Sequence, residues 1–265
     1  MSRIGKHRSP LATTLWSLAA GALPMIVGVS LTLSLADGSL RKENLRVGAA
    51  AVEQVDRLLS AALVTTETLA PLVGQRCDRA LPVMRQQVAQ NPWLRSTTLL
   101  YKGEPYCDSV TGRASTPPPV SREPVPLDSQ SLALLGPDNL HNDFGALTLR
   151  NSGEAFGISV TLDNRLVVDR LDLVSGTTDV ALHVSGVYLW DDGSLLRGEL
   201  RQNPRYRAST PSMRFDYAMH SSVSAEYVLD SLVEQLITVL GALTMVSIFT
   251  GWLCHWLLTR HRKAA

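Results

Sequence analysis

Two apolar stretches frame the chain. Residues 11–36, LATTLWSLAAGALPMIVGVSLTLSLA, and residues 236–258, LITVLGALTMVSIFTGWLCHWLL, contain no Asp, Glu, Lys or Arg. A helix of about 20 apolar residues crosses a bilayer, so each stretch is long enough to span, and each is too apolar for a soluble core. The small residues of Ser34-Leu35-Ala36 could mark a signal cleavage site. However, the first apolar run exceeds the roughly 7–15 residues of a signal h-region, so an uncleaved anchor is expected. The organisation predicted is a cytoplasmic N-terminus (1–10), a first span (11–36), an exterior domain (37–235), a second span (236–258) and a cytoplasmic C-terminus (259–265).

Between the spans the pattern is helical first and strand-like later. Leu45, Val52, Val55, Leu59, Ala62 and Leu69 recur at steps built from three and four, which places them on one face of a helix. Asp37-Gly38-Ser39 can start that helix, and Pro71 with Gly74 ends it. Its stripe is expected to face the domain core and, in part, a second subunit. A shorter helix follows Cys77, with Asp78 as cap, Leu81, Met84 and Val88 along one face, and Asn91-Pro92 as the stop.

The period then changes to two. RSTTLLY (95–101) and YCDSV (106–110) flank KGEP and read as a β-hairpin, with Cys107 on its second strand. A Pro-rich loop covers 115–128. Strands are predicted over 144–150, 155–162, 179–186 and 187–198, the last being a hairpin turning at Asp192-Gly193. A helix is predicted over 164–174 and a final alternating strand over 212–220. No internal repeat is visible. The order predicts an α+β fold, helices on an antiparallel sheet, between two transmembrane helices.

Charge fixes the orientation. Arg3, Lys6 and Arg8 precede the first span, and Arg260, Arg262 and Lys263 follow the second, so both termini are expected inside the cell. The intervening segment holds 19 of the 25 basic residues and all 24 acidic ones, a net charge of −5. An acidic exterior domain argues against nucleic acid as a partner and leaves membrane lipid. Ser17 with Gly21, and Ser247 with Gly251, are small-xxx-small pairs. They permit either a homodimer through the spans or packing of span on span within one chain.

With this topology Cys77 and Cys107 share an oxidising compartment, while Cys254 lies in or near the membrane as a packed apolar residue. One exterior pairing is possible, and a disulfide is the default there. Closing a loop of about 30 residues should stabilise the fold by roughly 3–4 kcal/mol. No C-x-x-C and no adjacent histidine suggests zinc, and no cofactor or metal is expected. Catalytic constellations are weak. Asp191-Asp192 reads as turn chemistry, and Cys107 with His141, His183 or His220 competes with the disulfide. Ser109, beside Asp108, reads as a solvent-facing strand residue. The motifs G-x-S-x-G, H-E-x-x-H and Walker A do not occur.

At PYCDSV the sequence resembles the CSS-motif sensor domain, the periplasmic input of a group of bacterial cyclic-di-GMP phosphodiesterases of the EAL-domain family. The resemblance covers the basic N-terminus, the first span, an upstream cysteine, the Cys-x-Ser hairpin and the second span. By position Cys107 is the motif cysteine and Ser109 its last serine, while Asp108 stands where the family has its middle serine. Cys77 matches the upstream partner. The resemblance implies an inner-membrane protein made by way of the periplasmic disulfide-forming machinery. It also implies a Cys77–Cys107 bond that holds the phosphodiesterase down and a reduced form that releases it. The family's EAL barrel takes about 250 residues after the second span. Here seven residues follow Leu258 and no E-A-L or G-G-D-E-F occurs, so the resemblance is to the sensor half alone and no enzyme is expected. The helix–hairpin–sheet order also looks like PAS/Cache sensors. A small-molecule receptor, a truncated phosphodiesterase remnant and, last, an exterior hydrolase therefore stay open, as does the choice between a permanent staple and a switch.

Overall fold

The computed structural model describes residues 10–113, 120–121, 125–136, 145–198 and 204–263. His141, Phe144, the basic residues of the N-terminus and part of the Pro-rich loop lie outside the described residues. The chain divides into two compact units, Met1–Lys42 with Ala225–Ala265, and Glu43–Ser224.

Helix α1 (Pro10–Leu69) is continuous, so Asp37-Gly38-Ser39 does not begin a helix. Asp37 instead lies within it, 3.1 Å from Arg41 one turn on, and no competing cap breaks the ladder. The apolar stripe also differs in part. Val55, Leu59, Ala62 and Leu69 are buried, but Val47 and Ala51 continue the stripe, whereas Leu45 is 54% exposed. At about 100° per residue Leu45 lies roughly 80° from Val55, on the flank away from the buried face. Each fully buried Val or Leu contributes about 1.5–3 kcal/mol, so this face anchors the second unit.

Helix α2 (Cys77–Gln90) starts two residues earlier than a cap at Asp78 requires. The N-cap is Arg76, and Asp78 sits in the first turn, 3.1 Å from the Arg76 guanidinium. Cys77, Ala80 and Met84 form its buried face.

One antiparallel sheet was expected, and there are two. The six-stranded sheet contains β1 (Leu94–Tyr101), β2 (Glu104–Asp108), β3 (Gly112–Arg113), β4 (Ser129–Leu135), β5 (Ala146–Ser152) and β6 (Phe156–Asp163), in the order β3-β2-β1-β6-β5-β4. Helix α3 (Asn164–Ser175) follows, its first turn held by Asp163 accepting the Arg165 N–H at 3.0 Å. The five-stranded sheet contains β7 (Asp179–Val184), β8 (Val187–Trp190), β9 (Leu195–Arg197), β10 (Pro204–Pro211) and β11 (Ala218–Ser224), in the order β10-β11-β7-β8-β9. Every pairing is antiparallel. Alternate residues of the first sheet (Leu147, Leu149, Val160, Leu162) and of the second (Val180, Leu182, Val184, Met219) join Val55, Leu59, Val167 and Leu171 in one core.

The expected strand over 212–220 begins only at Ala218. Ser212 to Tyr217 is the loop of the β10–β11 hairpin, closed by the Ser212 N–H donating to the Tyr217 carbonyl at 3.0 Å. Ser212 Oγ accepts the Arg214 and Phe215 N–H groups, each at 3.1 Å, which satisfies that backbone locally. Tyr217 fastens the loop to α1, its hydroxyl 2.6 Å from Asp56 Oδ1 and 3.0 Å from the Val52 carbonyl.

The other unit contains the apolar part of α1 and helix α4 (Ala225–Lys263), and each helix is long and apolar enough to cross a membrane. Within it a Cβ on Gly21 would lie 3.0 Å from the Ser247 carbonyl and 3.3 Å from Gly251 Cα. The two small-residue pairs therefore pack against each other inside one chain.

Candidate functional site

The β1–β2 hairpin turns on Lys102 (φ 51°) and Gly103 (φ 88°), both left-handed, as a tight two-residue turn demands. Its register shifts between Leu99 and Leu100, so that Leu99 faces Cys107 while Leu100 faces Pro105. Tyr106 is the extra residue of this bulge, and both Tyr106 and Cys107 join the cluster under α2. Cys107 is bonded to Cys77, with Sγ–Sγ 2.02 Å and Cα–Cα 5.3 Å. Cys254 is free.

The bond joins the first residue of α2 to the second strand of the hairpin. Leu69, Val73, Ala80, Met84, Leu99 and Ile158 surround it. Met84 Sδ lies 3.9 Å from Cys107 Sγ. Two further ties cross the same junction. The Tyr106 hydroxyl accepts the Gly74 N–H at 2.9 Å, in the loop between α1 and α2, and Arg85 Nε donates to the Ser109 carbonyl at 3.0 Å. Gly74 is required there: its φ is +81°, and a Cβ would lie 2.6 Å from Ser121 Cβ. Burial raises the Tyr106 phenol above its ordinary range, partly offset by the Gly74 bond, so it stays neutral. The Arg76 hydrogen bond lowers the Asp78 carboxyl, and the more distant Arg113 adds to this.

The motif residues beyond Cys107 are structural in place. Ser109 is buried rather than solvent-facing. Its Oγ accepts the Thr97 N–H at 3.0 Å, and its own N–H donates to the Thr97 carbonyl at 3.0 Å. The hydroxyl thus replaces a strand carbonyl where the β2 ladder ends. Asp108 points to the opposite side of the sheet. Its Oδ2 accepts the Thr98 hydroxyl at 2.6 Å, and its Oδ1 accepts the Val110 and Thr111 N–H groups at 2.8 and 3.0 Å. A serine there has one side-chain oxygen and would have to give up one of these roles.

The weaker sequence candidates are not assembled. Cys107 is consumed by the disulfide, and His183 and His220 stand on the five-stranded sheet, their rings in contact at 5.3 Å between centroids. Asp191 accepts the Val180 N–H at 3.2 Å and Asp192 the Ser194 N–H at 2.9 Å, which makes both turn anchors. Tyr106 and Arg85 were missed by sequence reasoning, and Gly74 was read only as the end of the long helix. Tyr106 carried a signal, an aromatic adjoining the motif cysteine, whereas Arg85 carried none. On the Asp108 side of the sheet lies a groove of about 640 Å³ bordered by Arg95, Thr98, Asp108, Thr111 and Thr161.

The family model described as the CSS motif domain associated with EAL matches residues 41–236. The chain belongs to the CSS-motif domain family. Its fold is similar to that of the ligand-binding domain of the Campylobacter jejuni chemoreceptor Tlp3, solved with L-valine, at 12% identity and a TM-score of 0.50 over 74% of this chain and 97% of that one. The periplasmic domain of RsbU from Chlamydia trachomatis aligns at 14% identity and a TM-score of 0.46 over 78% of this chain and 98% of that one. No curated protein matches the chain. The match makes residues 41–236 a sensory domain of the EAL-associated type.

Proposed function

We propose that the chain is a periplasmic redox-sensing input module of the inner membrane, with the Cys77–Cys107 bond as its sensing element and cyclic-di-GMP breakdown as the output it governs. The observation that carries the reading is where the bond lies. It joins α2 to the hairpin within the cluster that also packs Leu69, the last residue of α1. A change at this junction therefore reaches the end of a helix that runs without a break from Pro10. A bond that favours one of two states by about 3–4 kcal/mol shifts their ratio by more than a hundredfold. The basic flanks and the acidic exterior support cytoplasmic termini, and membrane lipid, a second copy of the chain and the periplasmic disulfide-forming machinery are the partners proposed.

The test is the thiol state of Cys77 and Cys107 in cells with and without that machinery, read beside the amount of protein. The account predicts oxidised cysteines in the first case. In the second it predicts reduced cysteines in a chain that stays abundant and folded. Degradation of the reduced chain would make the bond a staple.

A second reading rests on the groove beside Asp108, which supports a small-molecule receptor. Arg95 and Asp108 offer opposite charges there, suited to a zwitterion such as an amino acid, and the Tlp3 domain was solved with one. Amino acids that raise the melting temperature of the wild type but not of Arg95→Ala would favour this reading.

A further inference from the structure

We propose that thiol–disulfide exchange enters this domain at Cys77, and that Cys107 is the resolving cysteine. The inference rests on the redox reading above and adds an order to it.

The two sulfurs have different surroundings. Cys77 borders a cavity of about 230 Å³ together with Arg76, Asp78, Tyr106 and Arg113. Cys107 is 1% exposed, against 6% for Cys77, and is packed among Met84, Leu99 and Ile158. A thiol must reach the attacked sulfur, and this cavity is lined by Cys77 and not by Cys107. Reaching Cys107 requires α2 to lift, against the Arg85–Ser109 and Gly74–Tyr106 hydrogen bonds. The chemistry points the same way. Cys77 opens the 14-residue helix α2, whose N-terminal dipole and the Arg76 and Arg113 guanidinium groups favour a thiolate, offset in part by the Asp78 carboxylate that pairs with Arg76. The apolar packing at Cys107 favours the neutral thiol.

Oxidation then proceeds in two displacements. The Cys77 thiolate attacks one sulfur of a partner disulfide, and the partner's other sulfur leaves as a thiolate. The Cys107 thiol gives up its proton and attacks Cys77 Sγ, and the partner's remaining sulfur leaves and is protonated. Two protein thiols and one partner disulfide become one protein disulfide and a partner dithiol, and two electrons pass to the partner. The partner class is a dithiol–disulfide oxidoreductase or a low-molecular-weight disulfide. Reduction runs the same steps backwards, with Cys107 as leaving group. A buried, poorly ionised thiol leaves slowly, so the bond is slow to reduce once formed.

The test uses the full chain in detergent micelles with Cys254→Ser to silence the third thiol. Cys107→Ser leaves Cys77, and Cys77→Ser leaves Cys107. Each is titrated with 5,5′-dithiobis(2-nitrobenzoate), native and in denaturant. The account predicts that native Cys77 reacts at least about tenfold faster than native Cys107, and that the two converge on unfolding. Because either variant could misfold, the oxidised chain with both cysteines is also treated with limiting glutathione, quenched with N-ethylmaleimide and mapped by mass. Glutathione on the Cys77 peptide and maleimide on the Cys107 peptide are expected. Equal or faster reaction at native Cys107, or glutathione on the Cys107 peptide, would overturn the order while leaving redox sensing intact. Unchanged signalling in both cysteine variants would instead end the redox reading while leaving the order intact.

Discussion

Ser109→Ala isolates what the last residue of the motif does. The substitution removes one oxygen and leaves the backbone bond from the Ser109 N–H to the Thr97 carbonyl in place. What is lost is the acceptor for the Thr97 N–H, 3.0 Å from Ser109 Oγ, at a site where Thr97 is fully buried and Ser109 is 5% exposed. Alanine supplies no acceptor and admits no water, so a backbone donor is stranded. An unsatisfied buried donor costs about 1–3 kcal/mol. For a domain of about 150–250 residues, each kcal/mol moves the melting temperature by about 2–4 °C. A fall of several degrees is therefore expected. The assay is thermal unfolding of the oxidised chain in micelles, with the disulfide verified on a non-reducing gel. Ser109→Thr, which keeps the acceptor, should lose less. A Ser109→Ala protein that melts within about one degree of wild type would refute this account. So would one that keeps its stability but loses its redox response, because the hydroxyl would then have a chemical role.

Tyr217→Phe should cost about 1–2 kcal/mol, because the phenol is the loop's link to Asp56 and Val52. Burial, with the hydrogen bond and charge of Asp56, pushes that phenol far above its ordinary range, so the loss measured by denaturant titration should be the same at pH 7 and pH 9. His220 is held below its ordinary value of 6.5 by burial, then by His183 on β7 and Arg207 on β10. The folded state therefore disfavours imidazolium, and the unfolded chain binds more protons once the pH falls through about 6.5. Stability contributed by neutral His220 is full above that value and is lost as the pH drops toward the folded pKa. His220→Phe, which keeps a ring beside Tyr188 and His183, should flatten stability between about pH 7 and pH 5, and an unchanged slope would contradict this. A Cβ on Gly251 would lie 3.4 Å from the Ser17 carbonyl, so Gly251→Leu should separate the helix pair. The readout is lost bridging of Ser17→Cys to Ser247→Cys, about one helical turn apart along the pair, by a short bismaleimide in a background otherwise free of cysteine, and undiminished bridging would contradict the packing.

Local signals were legible in the sequence and distant ones were not. Lys102-Gly103 and Asp192-Gly193 announce their hairpins through turn chemistry, and α3 was read over 164–174 from its local sequence. These depend on neighbours a few residues away. The two apolar helices were legible from composition alone. The strand read into 212–220 failed because Met213, Phe215 and Tyr217 do alternate, yet Met213 is 97% exposed while Tyr217 reaches α1. Strands β4 and β10 were not anticipated, and with them went the division into two sheets. Strand β10 is joined to β11 by Ser212–Tyr217, which carries no tight-turn signature, and β4 to β5 by residues 136–145, too long a segment to announce a tight hairpin. At the site the cysteine pair was legible. The burial of Ser109 was not, because its partner Thr97 lies twelve positions away across the hairpin. The bulge that brings Tyr106 and Cys107 to one side exists only in the register with β1.

The central claim is that the Cys77–Cys107 bond selects between two signalling states. Its most direct test fuses a cyclic-di-GMP phosphodiesterase domain after Arg262 and measures turnover per molecule, with protein level measured in parallel, for wild type, Cys77→Ser, Cys107→Ser and the double variant. The account predicts equally raised turnover in both single variants and no further rise in the double. Equal turnover per molecule in all four would contradict it and leave the bond as a staple between α2 and β2.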